Sequence, residues 1–273
     1  MKQKMKLSIL AGVILLSGCA HSYTEDQAQN RLSSQSTLAV NWMQQSGEYR
    51  ALSWQAFNTA KNVFMHSPAS PEERKAVIVD IDETVLNNIP YEAWLIEKNK
   101  NYSDKTWHQW VADRQAEAMP GAVSFANFVL AHKGRVFYIS NRDAVDYQPT
   151  VDNLIQQGFP DINKETVILK TTGNTDKSAR FKDVIAKGYT PVIFMGDNLN
   201  DFTGETWHKD NIQRRRFVDE NHEKFGMKFI VLPNPSYGDW EGGMSQHYWK
   251  LSPEQKMQIR KKNLISWNGD KGA

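Results

Sequence analysis

The run Ala76-Val77-Ile78-Val79-Asp80-Ile81-Asp82-Glu83-Thr84 places two carboxylates at the end of an apolar stretch. A short run of small and apolar residues ending in acidic ones reads as a buried parallel strand whose carboxyl end opens into a site. In open α/β sheets ligands collect at that edge. Two carboxylates set side by side there repel each other unless they share a cation or a proton. The strand therefore asks for a metal, an acid/base role, or both.

Further strands follow the same pattern. Residues 135–140, 166–169, 191–195 and 228–232 are apolar runs, with helical patterns at about 146–157, 176–187 and 205–225. Gly158 and Gly188 stand where helix C-caps belong. Strands alternating with helices of this length imply βαβ units, hence an α/β fold with a parallel five-stranded core sheet flanked by helices. More than fifty residues separate the first two strands. One crossover helix, expected at Ala122–His132, accounts for only part of that, so about 84–120 is an insertion. It carries Tyr91, Trp94, Tyr102, Trp107 and Trp110 and follows directly from the acidic strand end, the place for a cap. Ahead of the sheet, apolar residues from Leu38 to Met65 recur at helical spacing, as one long or two shorter helices. A basic helix is expected near Pro253–Lys262.

The N-terminus reads as a targeting segment. Met1–Lys6 is basic, Leu7–Leu16 apolar, and Leu16-Ser17-Gly18-Cys19 follows. The apolar run is short for a permanent span, which fits a signal peptide over residues 1–18. Leu-Ser-Gly-Cys resembles a bacterial lipobox, and by that resemblance Cys19 is lipidated and the chain is anchored to the outer membrane. Residues 19–35 are polar and read as a flexible tether, and the domain proper occupies 36–273. Cys19 is the only cysteine, so no intrachain disulfide forms. Without Lys2, Lys4 and Lys6 the chain has 30 basic against 31 acidic side chains. That balance argues against a nucleic-acid polymer as partner.

Each expected strand end offers polar groups: Asp80 and Asp82 after the first, Ser140-Asn141-Arg142-Asp143 after the second. Lys177 follows the third, and Gly196-Asp197-Asn198-Leu199-Asn200-Asp201 the fourth. Taken singly these are weak. An Asp-x-Asp pair is usually a surface pair, the Asn/Asp run reads equally as a turn or cap, and Ser140 and Lys177 read as solvated residues. Their order at successive strand ends is what carries weight. Six of the seven histidines, His66, His108, His132, His208, His222 and His247, show no metal-ligand spacing. Arg214-Arg215-Arg216 reads as a solvated helix face.

Together the four segments resemble the motifs of the haloacid dehalogenase superfamily. With the lipobox and the terminal Gly-Asp-x-x-x-Asp, the chain is similar to the four-aspartate class C acid phosphatases, lipoprotein e-type enzymes of the bacterial outer membrane. The resemblance implies a Mg²⁺-dependent phosphomonoesterase. It makes Asp80 the nucleophile and Asp82 the general acid and base, with the Asp82 backbone carbonyl also facing the metal. Ser140, Asn141 and Lys177 would bind the phosphoryl group, and Asp197 and Asp201 would complete a metal set with Asp80 and Asp82. Trp107 and Tyr237 would lie against a nucleobase or nicotinamide ring, which points to nucleoside 5′-monophosphates including nicotinamide mononucleotide. A homodimer is expected on the same ground. Two rival readings exist. Haloacid dehalogenation lacks the second aspartate and the metal, so Asp82 and Asp197 weigh against it. A haem- or ligand-binding surface lipoprotein on the same scaffold has no use for four placed aspartates.

Overall fold

The computed structural model describes residues 24–68 and 73–269. The signal peptide over 1–18 and the lipidation residue Cys19 lie outside the described residues. Within them, β1 (Arg74–Val79) forms the centre of the main sheet. It is followed by β2 (Leu86–Asn87), α4 (Ile89–Glu97), α5 (Asp104–Asp113) and β3 (Glu117–Ala118), the insertion. Next come α6 (Ala122–Ala131), β4 (Arg135–Asp143), α7 (Tyr147–Gln156), β5 (Val167–Lys170), α8 (Ser178–Ala186) and β6 (Tyr189–Gly196). The chain closes with α9 (Asn211–Glu220), β7 (Phe229–Val231), α10 (Asp239–Gly242) and α11 (Pro253–Lys262). Ahead of β1 lie α1 (Glu25–Ser34), α2 (Thr37–Gln45) and α3 (Gly47–His66).

The five-stranded sheet has the order β5-β4-β1-β6-β7, with every pairing parallel. The chain runs outward from β1 through β4 to β5, then returns to lay β6 and β7 on the other side. Strand order thus reverses at β1, the position where α/β sheets open a crevice. Alternate side chains divide the core between the two faces. Val77 and Val79 pack with Phe57, Ala60 and Phe64 of α3 and Phe125 and Val129 of α6. Ala76 and Ile78 face Phe181 and Val184 of α8 and Phe217 of α9. Pro191, which has no N–H to give the ladder, coincides with a register shift: Ala76 pairs with Pro191 but Val77 with Ile193. The glycines expected at helix ends hold left-handed backbone, φ +89° at Gly158 and +82° at Gly188.

The expected insertion is a helical cap on a small hairpin base. Leu86 and Asn87 pair antiparallel with Ala118 and Glu117. Tyr91 collects the cap's aromatics, with ring centroids 6.0 Å from Trp94, 5.3 Å from Trp107 and 6.4 Å from Trp110. Among the described residues no helix is long and apolar enough to cross a membrane.

Two expectations are corrected and one open alternative is decided. Residues 25–34, read as flexible tether, form α1. Thr24 and Gln27 make a reciprocal capping box, Glu25 and Asp26 sit in the first turn, and Ala28 and Leu32 are buried. The helix packs on α11 and α4, so its i, i+4 apolar pair outweighs its polar composition. Of the two alternatives for the helical region from Leu38, the structure shows two helices, parted at Ser46, whose extended backbone and side chain cap α3. The helix expected over 205–225 is confined to 211–220 by the Asp210 cap, whose side chain accepts from the Gln213 N–H.

Candidate active site

The ends of β1, β4 and β6 and the loop after β5 meet at one rim. Asp80 directly follows β1, and its N–H is fixed by the Met195 carbonyl 2.9 Å away on β6. Asp197 follows β6, and the next residues wind into a 3₁₀ turn, Leu199–Asp201. The turn is closed reciprocally: the Asn198 side chain accepts from the Asn200 N–H, and Asp201 Oδ2 accepts from the Asn198 N–H at 2.9 Å. Gly196 is required for this approach, because a Cβ there would stand 2.2 Å from Asp201 Oδ2. Ligand oxygens of Asp80, Asp197 and Asp201 thereby fall within 4.8 Å of one another.

Lys177, at the N-cap of α8 and buried, donates to Asp80 Oδ1 and, at 2.8 Å, ion-pairs with Asp201 Oδ1. Burial alone would lower its pKa, but Asp201 and Asp80 outweigh burial and raise it. Asp80 is pushed up to about 7, chiefly by burial, with Lys177 opposing and Asp201 and Asp82 adding to the rise. Burial, then Asp201 and Asp80, hold Asp197 well above the usual carboxylate range. Asn234 Nδ2 orients Asp197 by donating to Oδ2 at 2.8 Å. Three carboxylates around one ammonium leave an uncompensated excess of two negative charges in a poorly solvated place. An all-oxygen, carboxylate-rich donor set of that charge suits a hard divalent cation. The residues present therefore fit the metal that the resemblance implies, and Asp80, Asp197 and Asp201 are the side chains that would hold it.

The Asp82 carboxylate is not one of the three. It has partners of its own: Oδ1 accepts from Arg142 Nε at 2.9 Å, Arg142 Nη2 at 2.8 Å and Asn88 Nδ2 at 2.9 Å. Oδ2 accepts from Ser140 Oγ at 3.2 Å. Four acidic side chains around a single ion, as the motif order suggests, thus resolve into three plus one. Ser140 is fully buried, and its Oγ also accepts from the Arg142 N–H at 3.1 Å. Asn141 lines the cleft above it, with Nδ2 donating to the Thr175 carbonyl at 3.0 Å and Oδ1 accepting from Arg180 Nη2. Trp107 and Tyr237 both line the same cleft, which encloses about 840 Å³ and reaches Asp82, Asn141 and Arg142.

Sequence reasoning placed Arg142 at a strand end without a role and did not single out Asn88 or Arg180. Arg142 lies two residues beyond Ser140 on the same strand, so strand alternation alone put it on the site's side. Its guanidinium also lies 5.6 Å from the Trp107 ring, joining the cap to Asp82. Asn88 had no signal: it sits inside the insertion, and its Oδ1 accepts from Trp110 Nε1 at 2.8 Å. Glu83 is also new. It is fully buried at φ +54° and accepts from the Asn88 N–H at 2.6 Å, and burial first, then Asp82, drives its pKa far up.

Known proteins resemble the chain at every level. Acid phosphatase 1 of Solanum lycopersicum is 30% identical over 170 residues, covering 60% of this chain and 59% of that protein. A stem 31 kDa glycoprotein of Glycine max is 26% identical over 174 residues, covering 61% and 65%. The chain therefore spans less than two thirds of these plant relatives. A class C acid phosphatase from Bacillus anthracis superposes with a TM-score of 0.82 at 35% identity, covering 87% of this chain and 100% of that one. A class C acid phosphatase from the same organism with tungstate bound gives 0.82 at 36%, with the same coverage. The family model for HAD superfamily, subfamily IIIB (acid phosphatase) matches residues 9–240. Spanning most of its length, that match makes the chain a member of the subfamily IIIB acid phosphatases of the HAD superfamily.

Proposed function

We propose that this protein is a divalent-metal-dependent phosphomonoesterase that hydrolyses nucleoside 5′-monophosphates, nicotinamide mononucleotide among them, through an aspartyl phosphate on Asp80. The observation that carries the reading is the carboxylate trio with Lys177, close in sequence to Asp82 and Asn198, which line a cleft together with Trp107 and Tyr237. A cation held by the trio, Mg²⁺ on this reading, would screen the negative charge shared by nucleophile and phosphate. An Asp80 Oδ attacks phosphorus, and the ester oxygen leaves with a proton from Asp82. Water then attacks the phosphoryl group, Asp82 takes its proton back, and Asp80 is released with phosphate. Lys177 and Ser140 neutralise and orient non-bridging oxygens. Arg142 and Asn88 hold Asp82 at the cleft wall. Tungstate, a tetrahedral oxyanion, bound to the Bacillus anthracis relative supports a phosphate-shaped pocket in this family.

A panel of nucleoside 5′-monophosphates against sugar phosphates and p-nitrophenyl phosphate tests the substrate class. Nucleotides should show the higher kcat/KM, and equal rates for ribose 5-phosphate would remove the base-recognition claim. Trp107→Ala and Tyr237→Ala should each raise KM for nucleotides about 5- to 100-fold, the worth of one lost base-stacking contact. KM for ribose 5-phosphate should move little in the same variants.

The lipobox-like Leu16-Ser17-Gly18-Cys19 supports anchoring to the outer membrane through lipid on Cys19. Cells fed radiolabelled palmitate should label the wild-type chain and leave Cys19→Ser unlabelled. Label persisting in Cys19→Ser would dismiss that anchor.

A further inference from the structure

We propose that the C-terminal segment from Lys261 to Trp267 is a membrane-contact element that takes the headgroup region of an anionic phospholipid surface. Leu264, Ile265 and Trp267 are 71%, 101% and 93% exposed, the most solvent-facing cluster of large apolar side chains in the described chain. They follow, after Asn263, on Lys261 and Lys262, which are exposed and in no ion pair among the described residues. Cations followed within a few residues by aliphatic side chains and an indole form a pattern that settles at a bilayer interface, with lysines on anionic headgroups and the indole at headgroup depth.

The body supports the segment and extends its face. Asn263 Nδ2 donates to the Met244 carbonyl, and Arg260 ties the end of α11 to Gln35 Oε1 at 2.9 Å and to Glu241. The segment therefore leaves the body at a defined point. Beside it lies a groove of about 620 Å³ to which Leu264, Ile212, Arg215 and Trp240 contribute. Ile212 is 69% exposed, and Arg215 and Arg216 face outward while Arg214 of that run is buried. Basic and apolar groups thus share one side of the molecule. An anionic lipid surface satisfies both, whereas the flat apolar partner of an ordinary dimer would leave the lysines unpaired.

The reading does not depend on the lipid anchor, but the geometry suits one. Gln35 closes α1, so the segment departs about 15 Å from Thr24, the length of a ten-residue helix. Five residues from Cys19 to Thr24 reach a comparable distance, about 17 Å. An anchored molecule could rest this face on the bilayer and hold its cleft in a set orientation.

The test uses the unlipidated chain from Ala20 to Ala273, which contains every described residue. It should co-sediment with vesicles of phosphatidylethanolamine and phosphatidylglycerol, and weakly or not at all with phosphatidylcholine alone. Leu264→Ser/Ile265→Ser/Trp267→Ser should lower that partitioning about tenfold or more, and Lys261→Glu/Lys262→Glu by a similar factor. Hydrolysis of p-nitrophenyl phosphate should be unchanged in both variants, since neither touches the cleft. Sedimentation equilibrium on the same proteins reports self-association. No vesicle binding by the parent, or equal binding by the triple variant, overturns the proposal. A parent that dimerises without binding vesicles, and a triple variant that does not dimerise, would instead assign the segment to a second copy of this chain.

Discussion

Asp80→Asn should lower kcat by about 10⁴-fold or more with p-nitrophenyl phosphate, while the fold and melting temperature stay close to wild type. An amide has the shape of the carboxylate but is not nucleophilic enough to form the acyl phosphate. The site tolerates the change structurally for an identifiable reason. Asp80 is destabilised in its charged form by burial and by Asp201 and Asp82. Lys177, the one cation ion-paired with it among the described residues, keeps Asp201 at 2.8 Å. Loss of one buried ion pair is therefore offset by relief of repulsion, and the stability change should stay within about 1 kcal/mol. Thermal melts and kcat on the same preparation check both halves. A folded Asp80→Asn protein that still turns over would reassign the nucleophile.

Adding a divalent cation should have the second large effect, on stability as much as on rate. Asp80, Asp197 and Glu92 all have folded-state pKa values above the unfolded ones, about 7 for Asp80 and Glu92 against 3.8 and 4.5. The folded protein thus binds more protons than the unfolded chain between pH 4 and 7. Stability of the metal-free protein should consequently fall as pH rises through that window. A divalent cation replaces those protons at Asp80 and Asp197, so at neutral pH it should raise Tm. At a hundredfold excess over Kd the gain is about 2.7 kcal/mol, or roughly 5–10 °C for a chain of this size. EDTA should reverse the rise and abolish turnover. Asp197→Asn should remove most of the cation-dependent shift while itself stabilising the metal-free protein at pH 7. A metal-free protein that becomes more stable from pH 5 to 7, or a cation that leaves Tm unmoved in wild type, would deny the trio its role.

The geometry of Asp82 bears on how the two roles divide. Its carboxylate has four protein hydrogen-bond donors, two of them on Arg142, and is not one of the three clustered carboxylates. A side chain held this way belongs to the cleft wall, where a leaving group would sit, and not to the ion. The cap contributes to that placement through Asn88, and through Trp107 beside the Arg142 guanidinium. On the proposed function, chemistry and substrate recognition would be mechanically linked: the insertion that would close over a base also contacts the proposed acid, Asp82.

Much was legible in the linear chain because the signals were local. Apolar runs ending in Asp80, Ser140 and Asp197 identified strands and the polar ends that meet at one rim, since side-chain alternation and the strand-end rule need no distant partner. Glycine at 158 and 188 marked helix ends for the same reason. What stayed hidden depended on contacts between residues far apart in sequence. Strand order was one: only packing decides that β6 returns to the other side of β1. The helix at 25–34 was another, because Ala28 and Leu32 have meaning only once α11, more than 200 residues later, provides a surface. The sequence alone determined which groups would stand at the sheet's rim, since that follows from neighbouring residues. The tertiary structure alone decided that Asp80, Asp197 and Asp201 face one another while Asp82 faces Arg142, because charges choose partners by distance in space and not along the chain.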